Sequence, residues 1–248
     1  MKTFETRQNT RGATLVELMV ALAILGLVTA GIFGQLGTAT QRISAEQTKV
    51  DNFDQARDFV DQFFRDINQI GYPNGRIVTN LAGGISDSRV AVGLVKISPT
   101  SIWFEGDING TGVVQEIQYQ INGSGTCALC LQRSAAPKVN GGAYLTGQST
   151  GAATPDWGTE VNDLITPIIF TYFNANGAQV PVPTAGLDIV NNGALLASVK
   201  TIHISLTIQN NQVLDPKTGQ ALQTSFEGEV SLNNCSLAAT AVPPMSCQ

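Results

Sequence analysis

The chain of 248 residues is poor in charge, in aromatic rings and in histidine: 13% of its residues are charged, 6% are aromatic, and His203 is its only imidazole. One histidine leaves a histidine-based zinc centre short of ligands. No block of like charges and no basic stripe is present. Lys2, Arg7 and Arg11 against Glu5 give the first twelve residues a net +2, so within the formal total of −5 the remainder carries −7. That balance offers no electrostatic footprint for nucleic acid. Also missing are a tandem repeat and any linker long enough to divide the chain into two soluble domains. The 43% apolar content fits a folded protein. The low charge fits a chain that is part membrane segment and part weakly charged β structure.

What is present in quantity is one apolar run, RGATLVELMVALAILGLVTAGIFG, residues 11–34. From Ala13 to Gln41 its only formal charge is Glu17, and from Leu18 to Phe33 its only hydroxyl is Thr29. About 20 apolar residues span the hydrocarbon of a bilayer, so a single membrane helix is expected. A secretory signal peptide is the alternative. It should end in a small-residue site of the Ala-x-Ala kind, whereas this stretch offers Thr29-Ala30-Gly31. A carboxylate inside such a run costs about 2.5–3.5 kcal/mol at a helix centre and implies a partner.

Beyond the run, Val50, Phe53, Ala56, Val60, Phe63, Phe64, Ile67 and Ile70 recur at steps of three and four between polar residues. This predicts an amphipathic helix that ends at Gly71-Tyr72-Pro73-Asn74-Gly75. From Ala13 to Ile70 is 58 residues, or about 87 Å of helix. From Tyr72 on, the pattern is of strands and turns. Residues 101–107 and 113–121 flank Asn109-Gly110 as a hairpin, residues 168–180 repeat the idea, Thr201–Gln209 alternates, and Phe226 to Leu232 closes the series. Residues 134–163 and 178–198, rich in Gly, Ala, Pro, Asn and Thr, are expected to be long surface loops. The expected fold class is α+β, a long amino-terminal helix packed on an antiparallel, β-rich head.

The junction Arg11-Gly12-Ala13-Thr14-Leu15-Val16-Glu17 resembles the prepilin signature of the type IV pilin-like proteins: a basic leader ending in glycine, a cut after it, and glutamate as the fifth mature residue heading an apolar helix. The later segments Phe64 to Tyr72, WFEGDINGTGVVQEIQYQI, FTYFNANG and FEGEVSLNN resemble the PilW-like minor pilins and their relatives, the GspJ-like pseudopilins of type II secretion. The resemblance implies a leader 1–12 removed between Gly12 and Ala13 by a prepilin peptidase, and methylation of the new terminus. Many members have Phe at that position, where this chain has Ala13.

Further implied are a transmembrane and assembly half at 13–37, an amphipathic half at 38–71 and a periplasmic head at 72–248. The protein would sit in the inner membrane, and in a pilus or pseudopilus after assembly. Implied partners are other minor and major pilins, the assembly platform and membrane lipid. Glu17 would meet the α-ammonium of a neighbouring subunit, because two opposite charges that pair in hydrocarbon remove much of each other's desolvation penalty. Contacts of this head-to-tail kind generate helical filaments. Gly26, Ala30 and Gly34 put small residues on one helical face.

Four cysteines, Cys127, Cys130, Cys235 and Cys247, suit an exported head and allow three pairings. Cys235 with Cys247 would resemble the carboxy-terminal loop of many pilins, and Cys127 with Cys130 would be a short local bridge. Thiol–disulfide exchange is the rival for CxxC, but it wants a helix start, and these residues follow Asn122-Gly-Ser-Gly among strands. Two further motifs compete with plainer explanations. Asp107, Asn109 and Thr111 match the start of a calcium loop, although Thr111 stands where an acid or amide is expected and the twelfth position is Gln118. A simple Asn-Gly hairpin explains the same residues, and no other cofactor is expected. Gly147-Gln-Ser149-Thr-Gly151 fits a hydrolase elbow with His203 in the right order, but it lacks the strand and helix that such an elbow needs. A structural subunit rather than an enzyme is therefore expected, with a membrane-anchored serine hydrolase as the alternative.

Overall fold

A computed structural model describes residues 14–73, 87–122, 129–138, 157–166, 169–215 and 218–232. Helix α1 (Leu15–Asn68) is one uninterrupted element of 54 residues, about 80 Å long. It stops two residues short of the predicted end because Ile70 leaves the helix to bridge with Gly106, and Gly71 N–H donates to the Glu105 carbonyl at 2.9 Å.

The head contains β1 (Leu94–Ile97), β2 (Ser101–Gly106), β3 (Gln115–Asn122), β4 (Cys130–Pro137), β5 (Gly158–Val161), β6 (Phe170–Asn174), β7 (Leu187–Asp188), α2 (Ile189–Ser198), β8 (Val199–Leu214) and β9 (Ala221–Ser231). Among the described residues these strands form two sheets, one ordered β5-β4-β3-β2-β1-β7 and the other β6-β8-β9, with antiparallel pairing throughout. The α+β layout of a long helix on an antiparallel head is the one the sequence predicts, and it matches that of type IV pilin-like proteins.

The β2–β3 hairpin pairs Ser101 with Gln120 and Gly106 with Gln115, leaving Asp107–Val114 as the connection. On β8, Ile202, Ile204, Leu206 and Ile208 are buried while the intervening residues are half-exposed, as their alternation predicts. The second predicted hairpin forms as a short one: Asn174 N–H donates to the Ala178 carbonyl at 2.9 Å and Val180 N–H to the Tyr172 carbonyl at 2.8 Å, around a bridge from Phe173 to Gln179, while β6 takes β8 as its strand partner.

The two expected loops need correction. Residues 134–163 contain the end of β4 and all of β5, and residues 178–198 contain β7 and α2. In α2 the Asp188 carboxylate caps Asn191 N–H at 2.8 Å, so the Asn and Gly residues that read as turn signals are carried inside a short helix, kinked at Asn192.

Phe63 joins the parts of the core. Its ring lies 5.3 Å from Tyr119 on β3 and 5.7 Å from Phe170 on β6, so one helix residue touches both sheets. Of the predicted stripe, Ala56, Phe63, Ile67 and Ile70 are buried, Val60 and Phe64 are half-buried, and Val50 and Phe53 are exposed. Phe59, absent from the predicted stripe, is buried. The shift has a simple cause: Ala45 is the first buried residue of α1 and Ala56 the next, so the stripe begins before the head covers it.

Candidate assembly site

The start of α1 is organised around Glu17. Thr14 is extended and serves as N-cap; its Oγ1 accepts the Glu17 N–H at 3.3 Å, while Glu17 Oε2 accepts the Thr14 N–H at 2.9 Å. This reciprocal capping box satisfies two of the donors that a helix start leaves open. It also places the carboxylate at the positive end of the helix dipole. The signal Thr14-x-x-Glu17 was available in the sequence, but assigning Glu17 to a neighbouring chain alone overlooked it. Gly12 and Ala13 lie outside the described residues.

From Leu15 to Phe33 the large apolar side chains stand exposed, and α1 is long and apolar enough to cross a membrane. The hydroxyls of Thr29, Thr38 and Thr40 donate to carbonyls four residues back, at 2.6, 3.1 and 2.6 Å, so they need no water. A Cβ added at Gly26, Gly31, Gly34 or Gly37 would meet nothing within 4 Å. Each glycine costs a helix about 1 kcal/mol against alanine. Nothing in the packing of the described residues accounts for that cost.

At the other end α1 is clamped to the head. Asp66 Oδ2 accepts from Tyr119 Oη at 2.7 Å and from Arg133 Nε and Nη2 at 2.8 Å each, and Arg133 Nε also reaches Tyr119 Oη at 3.1 Å. The Arg133 guanidinium also lies 5.9 Å from the centre of the Tyr119 ring. Burial keeps the Tyr119 hydroxyl protonated, and the Asp66 charge acts in the same direction. The sequence reading missed this group, since its members are separated by up to 67 residues.

The remaining candidates separate. Asp107 Oδ1 and Oδ2 accept the Thr111 and Gly112 N–H groups at 3.1 and 2.8 Å, and Thr111 Oγ1 donates to Asn109 Oδ1 at 2.8 Å. Gly110 and Gly112 supply the left-handed turns, with φ of +67° and +77°. Those bonds close an eight-residue turn on itself. Cys130 opens β4 and is disulfide-bonded; Cys127, Cys235 and Cys247 lie outside the described residues. His203 sits mid-strand between Thr171 and Glu229, with Nδ1 3.2 Å from Thr171 Oγ1. Ser149 lies outside the described residues, so the hydrolase pairing has no geometry.

Comparison with known proteins locates the signal at the amino terminus. Residues 7–33 match the prokaryotic N-terminal methylation motif. No curated protein and no solved structure matches the chain. The motif spans the basic leader, the capping box and the exposed apolar turns, so the chain carries the amino-terminal signal of a type IV pilin or pseudopilin-type precursor.

Proposed function

We propose that the protein is a minor pilin, a non-enzymatic subunit that helps to initiate or cap a type IV pilus through its amino-terminal helix. The methylation motif, set on a helix whose large apolar side chains from Leu15 to Phe33 stand exposed, carries this reading. A prepilin peptidase cuts between Gly12 and Ala13 and methylates Ala13. The inner membrane holds α1 by its apolar half, the head stands in the periplasm, and other minor and major pilins cover the exposed helix on the assembly platform. A type II secretion pseudopilin uses the same signal, and the partners of the assembled chain tell the two apart.

Glu17 sets register by pairing with the new terminus of a neighbour. Its capping bond to Thr14 supports a second task for the same side chain, holding the helix start in shape. Intact mass measured with and without the peptidase is the first test, and loss of residues 1–12 is expected. Two variants then separate the roles of Glu17. Glu17→Gln retains an oxygen for the Thr14 N–H but no charge, and it is expected to abolish incorporation. Thr14→Val loses half of the cap and keeps the charge, and incorporation should persist. Normal filament numbers in Glu17→Gln cells would overturn the register role.

A further inference from the structure

On the six-stranded sheet, Ile102, Phe104, Ile117 and Tyr119 share the face packed against α1, and the opposite face buries charge. Glu105 lies directly opposite Glu116, and Glu116 directly opposite Ala136, so the three share that face. Lys138, two residues beyond Ala136, joins them. Its Nζ donates to Glu105 Oε2 at 2.8 Å and to the Val90 carbonyl at 2.9 Å. Val92 N–H donates to the same Oε2 at 2.8 Å. The Lys138 and Glu105 side chains are 1% and 0% exposed, and Glu116 is also buried. Among the described residues Glu105 Oε1 accepts no hydrogen bond.

We propose that Lys138 and Glu105 become joined by a side-chain amide bond, formed within the folded head with Glu116 as proton carrier. Proton transfer within the hydrogen-bonded pair gives the amine and the acid that react. Burial pushes the Glu105 carboxyl up from its ordinary range, with Lys138 and Val92 acting against it. Lys138 Nζ attacks Glu105 Cδ, and the Val92 N–H holds Oε2 as negative charge develops there. Glu116 takes a proton from Nζ and passes it to Oε1, which leaves as water. One C–N bond forms and one C–O bond breaks. No oxidant or activating group takes part. Fixed geometry supplies the drive, since oriented neighbours react as though at ~10⁵ M or more. The product ties β2 to the end of β4 across the intervening β3.

The test is peptide mapping of the full-length protein from its native membrane, after disulfide reduction. Trypsin does not cut after an acylated lysine, so peptide 97–133 should appear joined to peptide 134–200, lighter than their sum by one water, about 18 Da. In Lys138→Arg the two should separate, with cleavage after residue 138. Separate, linear peptides 97–133 and 134–138 from the wild-type protein would overturn the proposal, and this digest decides it even where a variant fails to fold. Glu116→Gln should lower the joined fraction about 10-fold or more at equal times after synthesis; an unchanged fraction would remove Glu116 from the mechanism.

Discussion

Asp66 shows how much one residue can carry. On a helix it looks like a solvated acid, yet it is buried and accepts from Tyr119 and from two nitrogens of Arg133. Asp66→Ala leaves the Arg133 charge half-buried without its partner, and a loss of about 3 kcal/mol is expected. Tyr119→Phe removes the hydroxyl's bond to Asp66 and the longer one from Arg133 Nε, and should cost about 1–2 kcal/mol. Denaturant unfolding of the detergent-solubilised chain checks both, and equal losses would contradict the ranking.

Asp87 gives a pH signature at the same scale. Hydrogen bonds from the Arg89 side chain, then from its backbone N–H, hold the Asp87 carboxyl down to about 2. An unfolded Asp titrates near about 3.9. The folded state therefore binds fewer protons between these values, so the contribution is complete above about pH 4 and is lost as pH falls through about 2. Thermal unfolding of wild type and Asp87→Asn should differ at pH 5, and the gap should shrink steeply as pH falls to 2. A gap as wide at pH 2 as at pH 5 would contradict this assignment.

At the scale of elements, α1 is used differently at its two ends. Gly106 touches its carboxy-terminal end, and a Cβ there would overlap the Gln69 backbone carbonyl. Gly106→Ala must push the end of the helix off β2, and a cost of about 1–3 kcal/mol is expected. Gly34 meets nothing. Gly34→Ala should leave the isolated chain as stable as before or up to about 1 kcal/mol more stable. If neighbouring helices pack closely there, the same variant should lower incorporation, which filament immunoblots would read. The element most exposed to misreading was α2, since Asn191, Asn192 and Gly193 punctuate loops in sequence statistics while capping by Asp188 and burial of Ile189 and Leu196 favour a helix here.

At the scale of the whole molecule, the division between exposed apolar helix and packed head falls inside one element. Burial on α1 begins at Ala45 and becomes continuous only with Ala56, Phe59 and Phe63. A truncated chain starting at Ile43 should be soluble and fold with the same head, judged by size-exclusion and near-ultraviolet circular dichroism. One starting at Asp61 loses the buried Ala45, Ala56 and Phe59, the last with its ring 5.8 Å from that of Tyr119, and it should not fold. Folding of the shorter chain would show that the sheets hold together without α1.

The sequence by itself determined the apolar half of the helix, its approximate length, the β2–β3 hairpin and the alternation of β8, because each is a local pattern of period 3.6, period 2 or uniform apolarity. The capping box is equally local, and so is the stretch 7–33 that matches the methylation motif. Only the tertiary structure decided which polar residues are buried. Glu105 and Glu116 occupy the face of their hairpin that alternation assigns to solvent, yet both are buried, Glu105 by way of Val92 N–H and of Lys138, the residue that follows β4. Asp66 met Arg133 in the same way. Which charges share a buried site depends on how strands distant in sequence are laid side by side, and no local period encodes that.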